Sequence, residues 1–306
     1  EDSLVTEVIE QLSAKAKDIT LQIGDKKLSV TNLDKQLWPT ATKRDLLIYL
    51  AKVSSAMLTH LRERPITLIR YPDGISGEKF FQKHIEHRPD WVQTIEFWGD
   101  TNKKNQQYLL VDDLATLLWM GQLGTIEFHA PAGRITANGD GEGLPLTFTD
   151  SDENLDRSVF NYPDFIRFDL DPYVSSGNEK PGEEPELNRD AFEKTKTAAF
   201  QLREMIEPLG MKCFIKTTGK TGLHMFVPIQ RTIDTQAARQ ICMTFCLLLE
   251  KQHPRAVTTE WSVSKRTGKI FLDYNMNGTG RTLGAAYSPR ATASKAVSLP
   301  VTWDEL

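Results

Sequence analysis

The segment FIRFDLDPY, residues 165–173, sets two aspartates two positions apart at the end of a run rich in apolar residues. In a strand, alternate side chains leave opposite faces. Phe165, Arg167, Asp169 and Asp171 therefore share one face, while Ile166, Phe168 and Leu170 share the other. Two neighbouring carboxylates repel one another and resist burial unless a cation lies between them. A donor set made only of oxygen favours Mg2+ or Mn2+. Read alone, the string DxDP also describes a strand end whose aspartates cap a turn at Pro172. A second run, KIFLDY, changes the weighing, because it places Asp273 at the end of another apolar stretch, followed by the turn-prone NMNGTG. Three acids at strand ends can hold two metals. In two-metal phosphoryl transfer one ion lowers the pKa of the attacking hydroxyl and the other neutralises charge on the leaving pyrophosphate. Such chemistry needs no nucleophilic Ser or Cys.

Three further segments carry polar groups suited to a nucleotide or a nucleic acid. In KTTGKTGLHMFVPI a strand ends in a glycine-containing turn and the next begins with His224. The glycines let backbone N–H groups approach a phosphate, and Thr217, Thr218, Lys220 and Thr221 supply donors. The spacing is not that of a P-loop, and a strand rather than a helix follows. A lone histidine opening an apolar strand also reads as a core or edge residue; beside the acids, His224 becomes a triphosphate contact. TIEFHAPAGR alternates so that Ile126, Phe128 and Ala130 share one face and Glu127 and His129 the other, where His129 is placed to touch a sugar or phosphate. GEKFFQKHIEHRPDW sets Phe80 and Phe81 among Lys79, Lys83, His84 and Arg88. Aromatic rings flanked by cations stack bases and hold backbone phosphates, although two adjacent phenylalanines also describe a core strand.

These residues must be positioned by alternating elements. Residues 1–17 carry Leu4, Val5, Ile9 and Leu12 near helical spacing, which predicts a short amphipathic helix without chemistry. LQIGDKKLSVTN predicts a hairpin turning at Gly24 and Asp25. Between 43 and 64, Leu46, Leu47, Leu50, Val53, Met57 and Leu61 recur every three or four residues, predicting a helix stopped by Pro65. Strands are expected in ITLIRY, YLLV, TIEFHA, FIRFDL, KCFIKTT, LHMFVPI, VTTEW and KIFLDY, and helices near 114–120, 189–206 and 236–252. Several successive strands leave no room for a helix between them, which favours an α+β fold with a mixed or largely antiparallel sheet. Residues 172–187 and 137–145, rich in Pro, Gly and acidic residues, are read as loops. The domain organisation expected is a helical extension over 1–25 and one catalytic domain over 26–306.

Composition bounds the class. The 306 residues are 40% apolar, enough for a sizeable core. No run approaches the roughly 18 apolar residues of a membrane span, and the acidic start EDSLVTEVIE lacks a signal-peptide pattern. A soluble protein of the cytoplasm is expected, with no membrane partner. The missing initiating Met and the end at Leu306 are read as those of a domain excised from something longer. Cys242 and Cys246, four apart in an apolar stretch, are expected to pack in a helix rather than to bind zinc or pair. The net charge of -4 hides an asymmetry. Acids crowd between 150 and 190, including Asp152, Glu153, Asp156, Glu179, Glu183, Glu184 and Glu186. Bases gather at Lys43 and Arg44, around Lys79 to Arg88, and at Lys265, Arg266, Lys269, Arg281 and Arg290. A basic groove for nucleic acid is compatible with that distribution.

Taken in order, VTNLDKQLWP, RYPDG, FFQKH, LLWMGQLGTIEFH, FDLDP, TTGKTGLHMFVP, SKRTGKIFLDYN and YSPRA resemble the polymerase domain of bacterial ligase D and its archaeal stand-alone relatives, in the archaeo-eukaryotic primase superfamily. The resemblance runs from about residue 30 to 306. It implies a primase-like core that extends DNA ends in non-homologous end joining, filling gaps from NTPs in preference to dNTPs with two Mn2+ (or Mg2+) ions. It further implies DNA ends with a gap or overhang and a 5'-phosphate as substrate, and a Ku-type protein and a DNA ligase as partners, in the prokaryotic cytoplasm at the nucleoid.

Residue by residue, the resemblance implies metal carboxylates at Asp169, Asp171 and Asp273, and nucleotide contacts at His129, Thr218, His224, Arg266 and Arg290. Asn32, Lys35 and Lys43 match positions that grip the 5'-phosphate of the downstream strand, and Phe80 and Phe81 match a pair that stacks on the template. Thr221 stands where some members carry Lys, and Met276 where some carry Arg; Lys220 is placed to compensate. Residues 131–163 and 173–188 are longer than usual. Two rival readings remain at this level: a replicative primase that starts chains without a primer, and a non-catalytic module that bridges DNA ends.

Overall fold

The computed structural model describes residues 2–99, 103–172 and 187–306. The chain divides into two compact units, one made of Glu1–Pro131, Thr147–Leu155 and Leu283–Ala296, the other of Ala132–Leu146, Asp156–Thr282 and Val297–Leu306. The acidic segment with Glu179, Glu183, Glu184 and Glu186, read as a loop, lies outside the described residues.

In the first unit, helix α1 (Asp2–Leu12) buries Val8 and Leu12 in the unit's core, with Leu4, Val5 and Ile9 packed against it, as the spacing requires. The predicted hairpin forms from β1 (Ile19–Ile23) and β2 (Lys26–Val30), antiparallel. Gly24 at its turn takes a φ of 61°, which a residue without Cβ adopts at little cost. A short pair, β3 (Gln36–Trp38) and β4 (Ala41–Thr42), leads into α2 (Lys43–Leu61). Thr42 and Asp45 form a reciprocal capping box at the start of α2, and Leu46, Leu47, Leu50, Met57 and Leu61 make its buried face. Then follow β5 (Thr67–Arg70), β6 (Phe80–Gln82), the hairpin of β7 (Thr94–Gly99) and β8 (Lys104–Leu109), helix α3 (Leu114–Gln122) and β9 (Thr125–Pro131). Strand β5 lies between β6 and β9, antiparallel to both, with the short strand Thr282–Gly284 on the other side of β9. Strands β3 and β4, of three and two residues, are too short to show alternation, whereas β7 opens on TIEF, the same alternating string that marks β9.

After α4 (Asp152–Arg157), the second unit is built on β10 (Phe165–Pro172), α5 (Arg189–Ile206), β11 (Phe214–Thr217), β12 (Leu223–Pro228), α6 (Thr235–Gln252), β13 (Val257–Thr258) and β14 (Ile270–Asp273). Its sheet runs β13-β14-β10-β12-β11, with the two-residue strand Pro300–Val301 outside β11. Only β13 and β14 are parallel; the rest is antiparallel, so the sheet is mixed and the α+β expectation holds. One face of β10, Ile166, Phe168 and Leu170, packs with Ala198, Leu202 and Ile206 of α5 and Cys242, Cys246 and Leu249 of α6. The cysteines are buried thiols serving as small apolar groups.

The stretch after residue 131 has a structural anchor in this unit. Arg231 is buried and donates to the carbonyls of Arg134, Thr136, Val159 and Tyr162. Arg134 in turn makes a forked contact with Asp164 at 3.0–3.1 Å.

Candidate metal centre and nucleotide-binding residues

Register places the polar residues of the second unit. Lys216 of β11 lies opposite His224 of β12, His224 opposite Asp169 of β10, and Asp169 opposite Asp273 of β14. Residues directly opposite in an antiparallel ladder project to the same face. A single row across four strands therefore reads Lys216, His224, Asp169, Asp273. Asp171 follows two residues along β10 on that face, opposite Phe271. Asp273 is fixed by the turn after it: its Oδ1 accepts the Asn275 N–H at 2.8 Å. That turn is tied to β10 through Asn277, whose side chain accepts the Arg167 N–H and donates to the Arg167 carbonyl, each at 2.8 Å. The Arg167 guanidinium caps the carbonyls of Met276 and Arg281.

The connection from β11 to β12 brings His224 alongside the acids. His224 is buried, with Nε2 at 3.3 Å from Asp169 Oδ1. Gly222 lies so close to β10 that a Cβ there would stand 2.3 Å from the Leu170 carbonyl oxygen. Gly219 holds a φ of 74°. The Thr218 hydroxyl accepts the N–H groups of Lys220 (3.2 Å) and Gly222 (3.1 Å), so those two amides are bound within the turn itself. Thr217 Oγ1 accepts from Leu299 N, and Thr221 Oγ1 stands 3.4 Å from Asp171 Oδ1. Arg266 lays its guanidinium 3.4 Å from the centre of the Phe271 ring and donates to the carbonyls of Glu260 and Trp261.

Burial pushes the Asp171 carboxyl up to about 6, and the Asp169 charge pushes it further the same way; Thr221 and Arg266 oppose the shift. Asp273 is likewise raised, first by burial, then by Asp169, against the Asn275 amide and the charges of Arg266 and Arg281. Such crowding of acids is costly without a counter-charge, and a divalent cation would relieve it. Among the described residues no three His, Cys, Asp or Glu side chains complete a metal site by themselves. An incomplete, oxygen-only set fits Mg2+ or Mn2+, which retain water and take phosphate oxygens as further ligands.

In the first unit, His129 of β9 and Arg290 meet at a third residue. His129 Nε2 is 3.2 Å from Glu127 Oε2, Arg290 Nη1 is 3.3 Å from the same oxygen, and the two nitrogens are 3.3 Å apart. Glu127 Oε1 accepts the Ala291 N–H at 3.1 Å. Sequence alternation put Glu127 on the face of His129, yet nothing local marked it as the residue joining His129 to Arg290.

Residues 42–306 match the family described as LigD, primase-polymerase domain. The chain belongs to this family. Among its relatives, the multifunctional non-homologous end joining DNA repair protein LigD of Mycobacterium tuberculosis (strain H37Rv) is 30% identical over 289 residues, covering 92% of this chain and 34% of that protein. The bifunctional non-homologous end joining protein LigD of Bacillus subtilis (strain 168) is 28% identical over 284 residues, covering 92% of this chain and 39% of that protein. This chain thus spans about a third of the length of these relatives. Among solved structures, the polymerase domain from Mycobacterium tuberculosis ligase D in complex with DNA superposes with a TM-score of 0.74 at 28% identity, covering 91% of this chain and 88% of that one. A nucleotide substrate and dependence on a divalent metal follow from membership in the LigD primase-polymerase family.

The residues expected from the resemblance to contact DNA lie in the first unit. Asn32 takes a φ of 54°, and its N–H donates to Asp18 at 2.7 Å. Lys35 Nζ is 2.7 Å from Asp73, at the surface. Lys43 is different: only 7% exposed, it donates to the Thr31 carbonyl at 3.0 Å and faces Gln122 Oε1 at 3.4 Å, and burial lowers its pKa. Phe80 and Phe81 are 41% and 67% exposed on β6, with Arg70 5.0 Å from the Phe80 ring. The core-strand reading of this aromatic pair is therefore excluded. No helix among the described residues is long and apolar enough to cross a membrane.

Proposed function

We propose that this chain extends DNA ends by template-directed nucleotidyl transfer, filling short gaps from NTPs in preference to dNTPs, as the polymerase part of a prokaryotic non-homologous end-joining system acting at the nucleoid. The observation that carries the reading is the register of Asp273 opposite Asp169, with Asp171 on the same face, in a chain of the LigD primase-polymerase family.

Asp169, Asp171 and Asp273 are assigned to two divalent ions, Mn2+ or Mg2+. When bound, these supply positive charge at the reacting phosphate and make the primer 3'-hydroxyl more acidic. The protein's share is geometry: β10 and β14 hold the carboxylates rigidly, and His224, stacked in the same ladder row, is assigned to the triphosphate. His129, Thr218, Lys220, Arg266 and Arg290 are assigned to the nucleotide as well. Thr218 supports its turn through Lys220 N and Gly222 N, which fits it to shaping the loop that carries Lys220. Asn32, Lys35 and Lys43 are assigned to the 5'-phosphate of the downstream strand, and Phe80 and Phe81, exposed as a stacking surface must be, to the template. A Ku-type end-binding protein and a DNA ligase are the partners this activity requires.

The test is extension of a labelled primer across a short gap with a downstream 5'-phosphate, with NTPs or dNTPs and Mn2+ or Mg2+ supplied in turn. Template-directed addition favouring NTPs with Mn2+ is expected. Synthesis of dinucleotides from nucleotides alone would favour a replicative primase, and tight gap binding without addition under any condition would favour an end-bridging module. Asp169→Ala should abolish addition and leave binding to gapped DNA within about threefold. Activity retained in that variant removes the metal assignment.

A further inference from the structure

Glu127 is 0% exposed and flanked in β9 by Ile126 and Phe128, both core residues. A strand position serving packing alone would take an apolar residue there, because a buried ion pair rarely stabilises more than a well-packed hydrophobic group of similar volume. The carboxylate is instead fully employed. Oε1 accepts the Ala291 amide, and Oε2 lies 3.2 Å from His129 Nε2 and 3.3 Å from Arg290 Nη1. Arg290 is fixed on two further counts. Its backbone N–H donates to the Ala296 carbonyl at 2.9 Å, and its Nη1 occupies space left by Gly284, where a Cβ would stand 2.4 Å away. A planar guanidinium committed at one Nη to a buried carboxylate has its orientation set.

We infer that Glu127 is a positioning residue for nucleotide binding: it holds His129 and the guanidinium of Arg290 in the orientation that receives the triphosphate of the incoming nucleotide. This rests on the assignment of His129 and Arg290 to the nucleotide. Glu127 itself touches no substrate and acts through those two side chains.

The test measures equilibrium binding of an NTP to the protein on a gapped DNA whose primer lacks a 3'-hydroxyl, with Mn2+, alongside KM and kcat on the extendable DNA. E127Q is expected to weaken nucleotide binding about tenfold, to raise KM in step and to change kcat much less. In an H129A/R290A background the same substitution should have no further effect, which a role in general stability would not produce. An equal loss in both backgrounds overturns the inference, as does unchanged nucleotide affinity in E127Q when H129A and R290A each weaken it. If H129A and R290A leave nucleotide binding at the wild-type level, the underlying assignment fails and the inference with it. Should E127Q not fold, R290K with Glu127 intact serves instead, since an ammonium cannot reproduce the guanidinium's geometry. A loss comparable to that of R290A is then expected, and wild-type affinity would overturn the proposal.

Discussion

At the scale of single residues, Asp171 joins stability to function. Burial and the neighbouring Asp169 raise its carboxyl to about 6 in the folded, metal-free protein, above the ordinary value near 4. Between those two values the folded state binds more protons than the unfolded one, so stability falls as pH rises through the window and the cost is complete above it. A shift of that size corresponds to up to ~3 kcal/mol. Asp171→Asn removes the charge and keeps the shape. It should raise the melting temperature of the EDTA-treated protein at pH 8 and lose most of that advantage by pH 4. Mn2+ should stabilise the wild-type protein at pH 8 and fail to stabilise D171N. Thermal unfolding with and without metal at both pH values decides this; a lower melting temperature for D171N at pH 8 would contradict the account of the carboxylate row.

Elements hold these residues in line, and the strands approach closely where β12 starts. Gly222→Ala would drive a Cβ into the Leu170 carbonyl, a backbone contact that cannot move aside without opening the ladder that sets His224 beside Asp169. A loss of ~2–4 kcal/mol in denaturant unfolding is expected, with weakened primer extension in the protein that remains folded. Lys35 and Lys43 separate in a similar test. Lys43 satisfies the Thr31 carbonyl from a buried position, so Lys43→Ala should cost ~1–3 kcal/mol of stability. Lys35→Ala, at the surface, should leave unfolding within ~0.5 kcal/mol of wild type and lower only the preference for 5'-phosphate over 5'-hydroxyl ends.

For the whole molecule, a net charge of -4 and a DNA substrate are compatible only if basic side chains act locally. Binding to gapped DNA should weaken steeply with salt. Each phosphate contact contributes a slope of about 0.9 in log affinity against log salt. K35A should reduce that slope by about one on 5'-phosphorylated DNA and leave it unchanged on 5'-hydroxyl DNA; fluorescence anisotropy over a salt series reads both. The carboxylate row lies in one compact unit and the Glu127 cluster in the other.

The strands bearing Asp169, Asp171 and Asp273, the amphipathic helices α2, α5 and α6, and the ordered motifs that mark the family were all legible in the sequence. Periodicity is a local property, and the family's motifs are short contiguous strings. Four features were not legible. The opposition of Asp169 and Asp273 depends on strand register between distant segments, which packing of the helix-covered face selects. The convergence of Glu127, His129 and Arg290 joins residues more than 160 positions apart. The exposure of Phe80 and Phe81 depends on which side of a three-residue strand meets the core, and so short a segment has too little periodicity to say. The Thr218 hydroxyl closes its own turn because the chain reverses there within hydrogen-bond reach, a distance only the folded backbone defines.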